Sequence, residues 1–268
     1  MGHSKGLSER QTRDGGGRSI FNTEAKKHDK RCEEVSILLV LPDLQKKHPH
    51  LNIKRWWKLE KAAIHQALGE LDKDLGQHQH HESSYIQPDG GIIVVEDKTG
   101  KWRPILITEA KVQGTNVTRI ERGLKKQGTG NALERATKNI AEVRNFMIDE
   151  NHFPYVLFGH GSDLAREAIT VVTKKPLDPK AKLAVGTVTI LKPPTIPDRI
   201  TSANYGLPCN EILVHNRWIK RTEGRETMLQ PASLYMRLEP WNNEEMYDIM
   251  MKIALLSLQI LGSELPEA

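Results

Sequence analysis

The sequence predicts an α/β protein, and three observations carry the prediction. Ile92–Val95 and Ile105–Ile107 are short, apolar, largely β-branched runs on either side of Asp97-Lys98-Thr99-Gly100, which reads as two strands of a hairpin. Leu133, Ala136, Ile140, Val143 and Met147 recur at 3-4-3-4 spacing, the apolar stripe of an amphipathic helix. Pro154–Phe158 reads as a further buried strand beyond that helix.

At 268 residues the chain can bury one sizeable core or two small ones. We read a flexible basic arm over residues 1–30 and a single domain over 31–268. The arm has too few apolar residues to offset its ordering entropy. It reads either as a solvated tail or as a grip on a DNA backbone. No apolar run approaches the roughly 18–20 residues that span a bilayer. The polar N-terminus lacks a signal-peptide core, and Gly6 stands where a myristoylation signal needs Ser or Thr. The two cysteines, Cys32 and Cys209, form neither a disulfide framework nor a metal spacing. That pattern fits a reduced, cytoplasmic protein. A formal net charge of +5 fits a polyanionic partner. Charge alone does not select nucleic acid, since many basic soluble proteins bind none.

Along the chain, Val35–Leu44 reads as a helix turn or strand that Pro42 ends. Ile53–Leu71 reads as a core-packing helix, with Trp56, Leu59, Ala63, Ala67 and Leu71 at helical spacing. Gln77-His78-Gln79-His80-His81 reads as a solvated loop between Gly76 and Ser83, where the convergent ligands that a metal site needs are not expected. Ile169–Thr173 and Leu183–Leu191 read as strands separated by basic loops, Lys174-Lys175 and Lys180–Lys182. Trp218 is expected to pack, since duplex DNA offers no unstacked bases for it. Asn243–Leu261 reads as an apolar helix that supports the core or a dimer.

The hairpin carries the chemistry. Side chains two apart on a strand share a face, so Glu109 and Lys111 point one way and Ala110 the other. Asp89 precedes the first strand and lies beside the end of the second when the hairpin folds about Thr99. Two carboxylates and an ammonium then meet. Mg²⁺ takes hard oxygen ligands of this kind, and Lys111 can orient or deprotonate the attacking water or neutralise developing charge. A Glu-x-Lys on a surface strand also arises by chance. Here it follows directly on a buried apolar run, where unused charge is expensive.

Gly128-Thr129-Gly130 precedes the amphipathic helix, and Asn131 suits its N-cap. Glu134 and Arg135 lie in the first turn, off the apolar stripe, as do Lys138 and Arg144 further on. A helix N-terminus aimed at DNA presents free N–H groups and partial positive charge. Asn, Arg and Glu there can read base edges, although by spacing alone Glu134-Arg135 is more often a solvated pair.

Several blocks resemble the EcoRI-type restriction endonucleases, and they occur in the same order. They are Gln87-Pro88-Asp89-Gly90-Gly91, Glu109-Ala110-Lys111-Val112-Gln113-Gly114, Gly130-Asn131-Ala132-Leu133-Glu134-Arg135, Asn151–Phe158, Ala203-Asn204-Tyr205-Gly206-Leu207-Pro208 and Met228-Leu229-Gln230. The likeness covers roughly residues 30–265. It implies a restriction-endonuclease-like α/β fold, with a central mixed sheet of five-stranded type flanked by helices, in the PD-(D/E)xK class. It implies a homodimer that cuts palindromic double-stranded DNA, with GAATTC the expected site, by Mg²⁺-dependent hydrolysis leaving 5′ overhangs. A cognate methyltransferase is expected in the same system without direct contact. The resemblance places Asp89, Glu109 and Lys111 on the catalytic trio, with Asp89, Glu109 and the Ala110 carbonyl on the metal. It places Asn131, Ala132, Glu134 and Arg135 on the base-reading segment and Arg199 on a phosphate contact. The chain departs from the family's pattern in a shorter Arg122–Gly130 connection, in Lys125-Lys126-Gln127, in Gln87 where lysine is usual and in Ile196 where a second arginine is expected.

Two other readings share most of these residues. A DNA-binding protein with degenerate nuclease activity would keep the reading helix without useful cleavage. A nuclease for branched or damaged DNA would cut without preference for a palindrome.

Overall fold

Alternation along β-branched strands decides the architecture. A computed structural model of the chain describes residues 20–75, 84–114, 130–161, 163–164, 169–172, 188–191, 200–220, 222 and 224–268. Its centre is a five-stranded sheet of β1 (Ile53–Trp56), β4 (Gly91–Glu96), β5 (Trp102–Val112), β6 (Tyr155–His160) and β11 (Ser233–Arg237), in the order β1-β4-β5-β6-β11. β1, β4 and β5 pair antiparallel, whereas β5, β6 and β11 run parallel. The sheet is therefore mixed, with its hairpin half joined to its parallel half along β5.

Ile92 and Val94 face one side of the sheet, and Ile93 and Val95 the other. On the first side they meet α3 (Lys61–Leu71) and α4 (Gly130–Phe146) through Ile64, Ala136, Ile140 and Val143. On the second they meet α1 (Ile20–Glu34) and α5 (Asn243–Leu261) through Cys32, Met246, Met250 and Ile253. The result is a helix–sheet–helix sandwich with two apolar layers, in which each fully buried aliphatic side chain contributes about 1.5–3 kcal/mol. Asn242 caps α5, accepting from the Glu245 N–H at 2.9 Å while the Glu245 carboxylate accepts from the Asn242 N–H. Asn243–Glu264 is long and apolar enough to cross a membrane. Its Met246, Met250, Ile253, Ala254, Leu258 and Leu261 instead lie buried against the sheet.

Several expectations are corrected. The stretch from Ile20 to residue 30, expected in the flexible arm, belongs to α1, and His28 is buried there. Val35–Val40 continues as a π-helix and α2 (Leu41–Lys47) follows, so Pro42 ends nothing. It sits at the start of that turn, where no N–H is required of it. The helix expected over Ile53–Leu71 starts only at Lys61, because Ile53–Trp56 pairs with β4 as an edge strand and Leu59–Glu60 (β2) pairs with Tyr85–Ile86 (β3). Periodicity could not separate a short strand running into a helix from one long helix.

Smaller hairpins are formed by Ile169–Val172 (β7) with Val188–Leu191 (β8) and by Arg217–Lys220 (β9) with Glu226–Leu229 (β10). The strand expected from Leu183 is described only from Val188. Trp218, expected to pack, is 64% exposed on β9. The Gln77–His81 run and the basic loops Lys174-Lys175 and Lys180–Lys182 lie outside the described residues.

Candidate active site

Two glycines bring Asp89 onto β5. The Gly90 N–H donates to the Thr108 carbonyl at 2.9 Å, and the Gly91 N–H closes a turn onto the Pro88 carbonyl at 3.0 Å. Gly91 has φ +83°, which favours glycine, and a β-carbon there would press on the Arg55 guanidinium at 3.1 Å. Asp89 Oδ2 then accepts from the Ala110 N–H at 3.2 Å and from Lys111 Nζ at 2.8 Å. The Asp89 N–H reaches Glu109 Oε2 at 3.3 Å. Lys111 Nζ also donates to the Ala110 carbonyl at 2.8 Å and contacts Glu109 Oε1 closely. The trio expected from the sequence is thus assembled at the point where the β4–β5 hairpin meets β6.

Burial shapes the charges. The Glu109 side chain is only 2% exposed. Its burial pushes the carboxyl above the usual range; the Lys111 ammonium pulls it back, and neighbouring Asp89 adds to the rise. Burial also opposes the charge on Lys111, but Glu109 and Asp89 outweigh it and raise the ammonium's pKa. Lys111 therefore stays charged. Asp29 on α1 is pushed up to about 6 by burial and by Asp89. Its neighbour His28 bonds the Phe158 carbonyl at 3.0 Å and meets His160 edge-on at 4.5 Å between centroids. Burial lowers the pKa of both rings, that of His160 to about 4.

Asp89 Oδ2, Glu109 Oε1 and the Ala110 carbonyl converge on one cationic atom, Lys111 Nζ. Hard oxygens converging on a single positive centre form a donor set that fits a divalent cation such as Mg²⁺. No group of three or more His, Cys, Asp or Glu side chains that could hold a metal occurs among the described residues. The donors would be two carboxylates and a backbone carbonyl.

α4 begins at Gly130, so Asn131 falls within its first turn and not at the N-cap; the side chains of Asn131 and Ala132 lie outside the described residues. Glu134 and Arg135 are exposed near that end. Arg199, Ile196, the Lys125–Thr129 approach and the first part of the arm lie outside the described residues.

Two residues escaped the sequence reading. Asn139 on α4 donates to Glu109 Oε1 at 3.0 Å, linking that helix to the buried carboxylate of the trio. Arg144 is not a solvated charge. It donates to the Gln230 carbonyl at 2.7 Å, the Ala203 carbonyl at 3.2 Å and Asn204 Oδ1 at 2.9 Å. Asn139 sits three residues after Ala136 and four before Val143, a spacing that already marks an edge of the buried stripe.

A mixed five-stranded sheet flanked by helices, with an Asp and a Glu-x-Lys joined on its central hairpin, defines a nuclease of the restriction-endonuclease-like class. The family description "Restriction endonuclease EcoRI" matches residues 14–268, and the chain belongs to that family. It is 38% identical to the type II restriction enzyme EcoRI of Escherichia coli, over 98% of this chain and 96% of that one. It is 36% identical to the type II restriction enzyme RsrI of Cereibacter sphaeroides, over 99% of this chain and 96% of that one. The chain is therefore a type II restriction endonuclease, a metal-dependent nuclease acting on DNA.

Proposed function

We propose that the enzyme cleaves palindromic double-stranded DNA at GAATTC, leaves 5′ overhangs and uses Mg²⁺. The observation that carries the chemistry is the convergence of Asp89, Glu109 and the Ala110 carbonyl on the Lys111 ammonium. The site sequence rests on the likeness to EcoRI and RsrI. We read the enzyme as a cytoplasmic homodimer, because a two-fold DNA site is matched by two-fold protein symmetry. A methyltransferase that protects the same site belongs to the system and needs no contact with this chain.

Asp89, Glu109 and the Ala110 carbonyl hold the cation. When bound, Mg²⁺ supplies Lewis-acid stabilisation of the scissile phosphate and the leaving oxygen. Lys111 is a poor proton acceptor, since two carboxylates raise its pKa. Its role is to orient the attacking water and to neutralise charge as it develops on phosphate. Asn131, Ala132, Glu134 and Arg135 read base edges from the first turn of α4. Arg199 and the basic arm contact phosphates, which position the duplex without specifying sequence.

Incubation of the protein with a plasmid carrying one GAATTC site and Mg²⁺ is expected to give one linear product with 5′-overhanging ends. No discrete product at any ordinary salt concentration would sink the nuclease reading, and ends mapped elsewhere would sink the site. Lys111→Ala is expected to lose about 10²–10³-fold in cleavage rate, the usual effect of removing a charge-stabilising donor, while still binding the duplex.

A further inference from the structure

We propose that Asn139 is a positioning residue that ties the reading helix to the catalytic carboxylate. It makes the setting of Glu109 depend on how DNA is seated at the start of α4. The inference rests on the reading of Glu109 as a cation ligand.

The partners of Glu109 come from three places. Lys111, from the same strand, serves Oε1, and the Asp89 N–H, from the adjoining turn, serves Oε2 at 3.3 Å. Asn139 serves Oε1 from across the layer, at 3.0 Å. Among the hydrogen bonds of the described residues, it alone joins α4 to the trio. Its amide must present Nδ2, since the oxygen turned this way would face a carboxylate. A donor to a ligating carboxylate fixes that carboxylate's orientation, and such partners govern metal affinity as well as rate.

The other end of the link is Arg135, four residues earlier on α4 and so one turn away along the same edge of the helix. Arg135 is exposed, whereas Asn139 is half-buried between that exposed end and Glu109. The helix itself is pinned as a rigid piece. Its stripe of Ala136, Ile140 and Val143 is buried in the core layer it shares with α3, Glu142 pairs with Lys61 of α3 at 3.3 Å, and Arg144 is bonded to three oxygens. A small rotation or shift imposed on the first turn by base contacts is carried to Asn139 one turn on. There it alters one bond on Glu109. Correct seating then sets the carboxylate for the cation, and incorrect seating withholds it.

Asn139→Ala removes the donor, and Asn139→Leu removes it while keeping a side chain branched at Cγ. For both, metal-free binding of a duplex carrying the mapped site is expected to stay within about twofold of wild type. Single-turnover cleavage and affinity for Mn²⁺ are expected to fall together by about 10–100-fold. Mn²⁺ binding is read on the DNA-free protein from the electron-paramagnetic signal of the free ion. Cleavage discrimination against a site with one base changed is expected to shrink towards the discrimination seen in binding alone. Asn139→Gln, which keeps an amide donor, is expected to recover part of the loss. Unchanged cleavage and Mn²⁺ affinity in Asn139→Leu would overturn the proposal. So would a cleavage loss fully matched by weaker duplex binding, which would make Asn139 a DNA contact. If wild type fails to cut, the nuclease reading falls by itself; the Mn²⁺ comparison still decides what Asn139 does.

Discussion

Gly90 lies flat against Thr108: its N–H donates to the Thr108 carbonyl at 2.9 Å, and a β-carbon built on it would stand 2.0 Å from Thr108 Oγ1. The same β-carbon would meet Cys32 Sγ at 2.8 Å. Neither neighbour can retreat, since Thr108 and Cys32 are both fully buried. Gly90→Ala must therefore push the Asp89 turn away from β5. Overpacking of this kind costs about 1–3 kcal/mol, and about 1 Å of displacement in a catalytic group costs roughly 10²-fold in rate. The expected result is a lower urea midpoint together with a cleavage loss of that order. A folded, stable Gly90→Ala that cuts at the wild-type rate would refute the close approach.

At the opposite end of the hairpin, Asp97 Oδ1 accepts from the Thr99 N–H at 2.8 Å, the Thr99 hydroxyl at 2.6 Å and the Lys101 N–H at 2.9 Å, while Oδ2 takes Arg103 Nε at 2.8 Å. Burial alone would raise this carboxyl, but these bonds bring it down to about 2. A folded-state pKa below the unfolded one means stability that is fully present above about pH 4, the unfolded value. It is lost as pH falls through about 2. The contribution is on the order of 2 kcal/mol. Asp97→Asn is expected to lower the melting temperature at pH 7 and to narrow its gap from wild type by pH 2.5. A gap independent of pH would show that the charge of Asp97 is not what matters.

How far the sequence could be read depended on the range of the interaction. The β4–β5 hairpin and the buried stripe of α4 were legible because each is written in local periodicity, and Asp89, Glu109 and Lys111 followed from strand alternation across one turn. α1 is hard to read from sequence although His28, Cys32 and Val35 stand four and three apart, because Lys and Glu dominate the composition around them. β1 carries helical spacing in the sequence, and only its non-local pairing with β4 makes Ile53–Trp56 a strand. Residue type assigns Trp218 to packing, yet among the described residues β9 pairs with β10 alone and the ring lies in solvent. Asn139 and Arg144 act across layers, where no local pattern reports the partner.

Arg144 holds together three parts of the chain that are distant in sequence. Its guanidinium joins α4 to the turn of helix at residues 200–203 and to the segment before β11, and it stacks over Tyr205 at 4.5 Å. Asn204, held by Arg144, itself accepts from the Ala232 N–H at 2.8 Å and donates to the Ala232 carbonyl at 2.9 Å. Arg144→Met keeps the apolar stem and strands buried acceptors, each at about 1–3 kcal/mol. We expect a loss of about 2–3 kcal/mol by urea denaturation, with Arg144→Lys recovering only a part because a point charge cannot span three acceptors. Full rescue by lysine would show that charge alone suffices there.

Lys111 neutralises two carboxylates in the fold, whatever its part in cleavage, and the stabilisation this gives depends on pH. Lys111→Met leaves Glu109 buried beside Asp89 with no ammonium between them. Removing one partner of a buried pair costs about 3–5 kcal/mol when the other stays charged. Glu109 has an escape, because its pKa is already raised by burial and rises further once Lys111 is gone. A carboxyl with a folded pKa above its unfolded value favours folding most below the unfolded value, and that advantage is lost as pH rises through the folded value. The variant is therefore expected to melt closest to wild type near pH 5 and furthest below it near pH 8. Adding Glu109→Gln should close the gap at pH 8, with cleavage strongly reduced in both variants. A melting difference that is the same at pH 5 and pH 8, or a double variant no more stable than the single, would show that Glu109 does not depend on Lys111 for its charge.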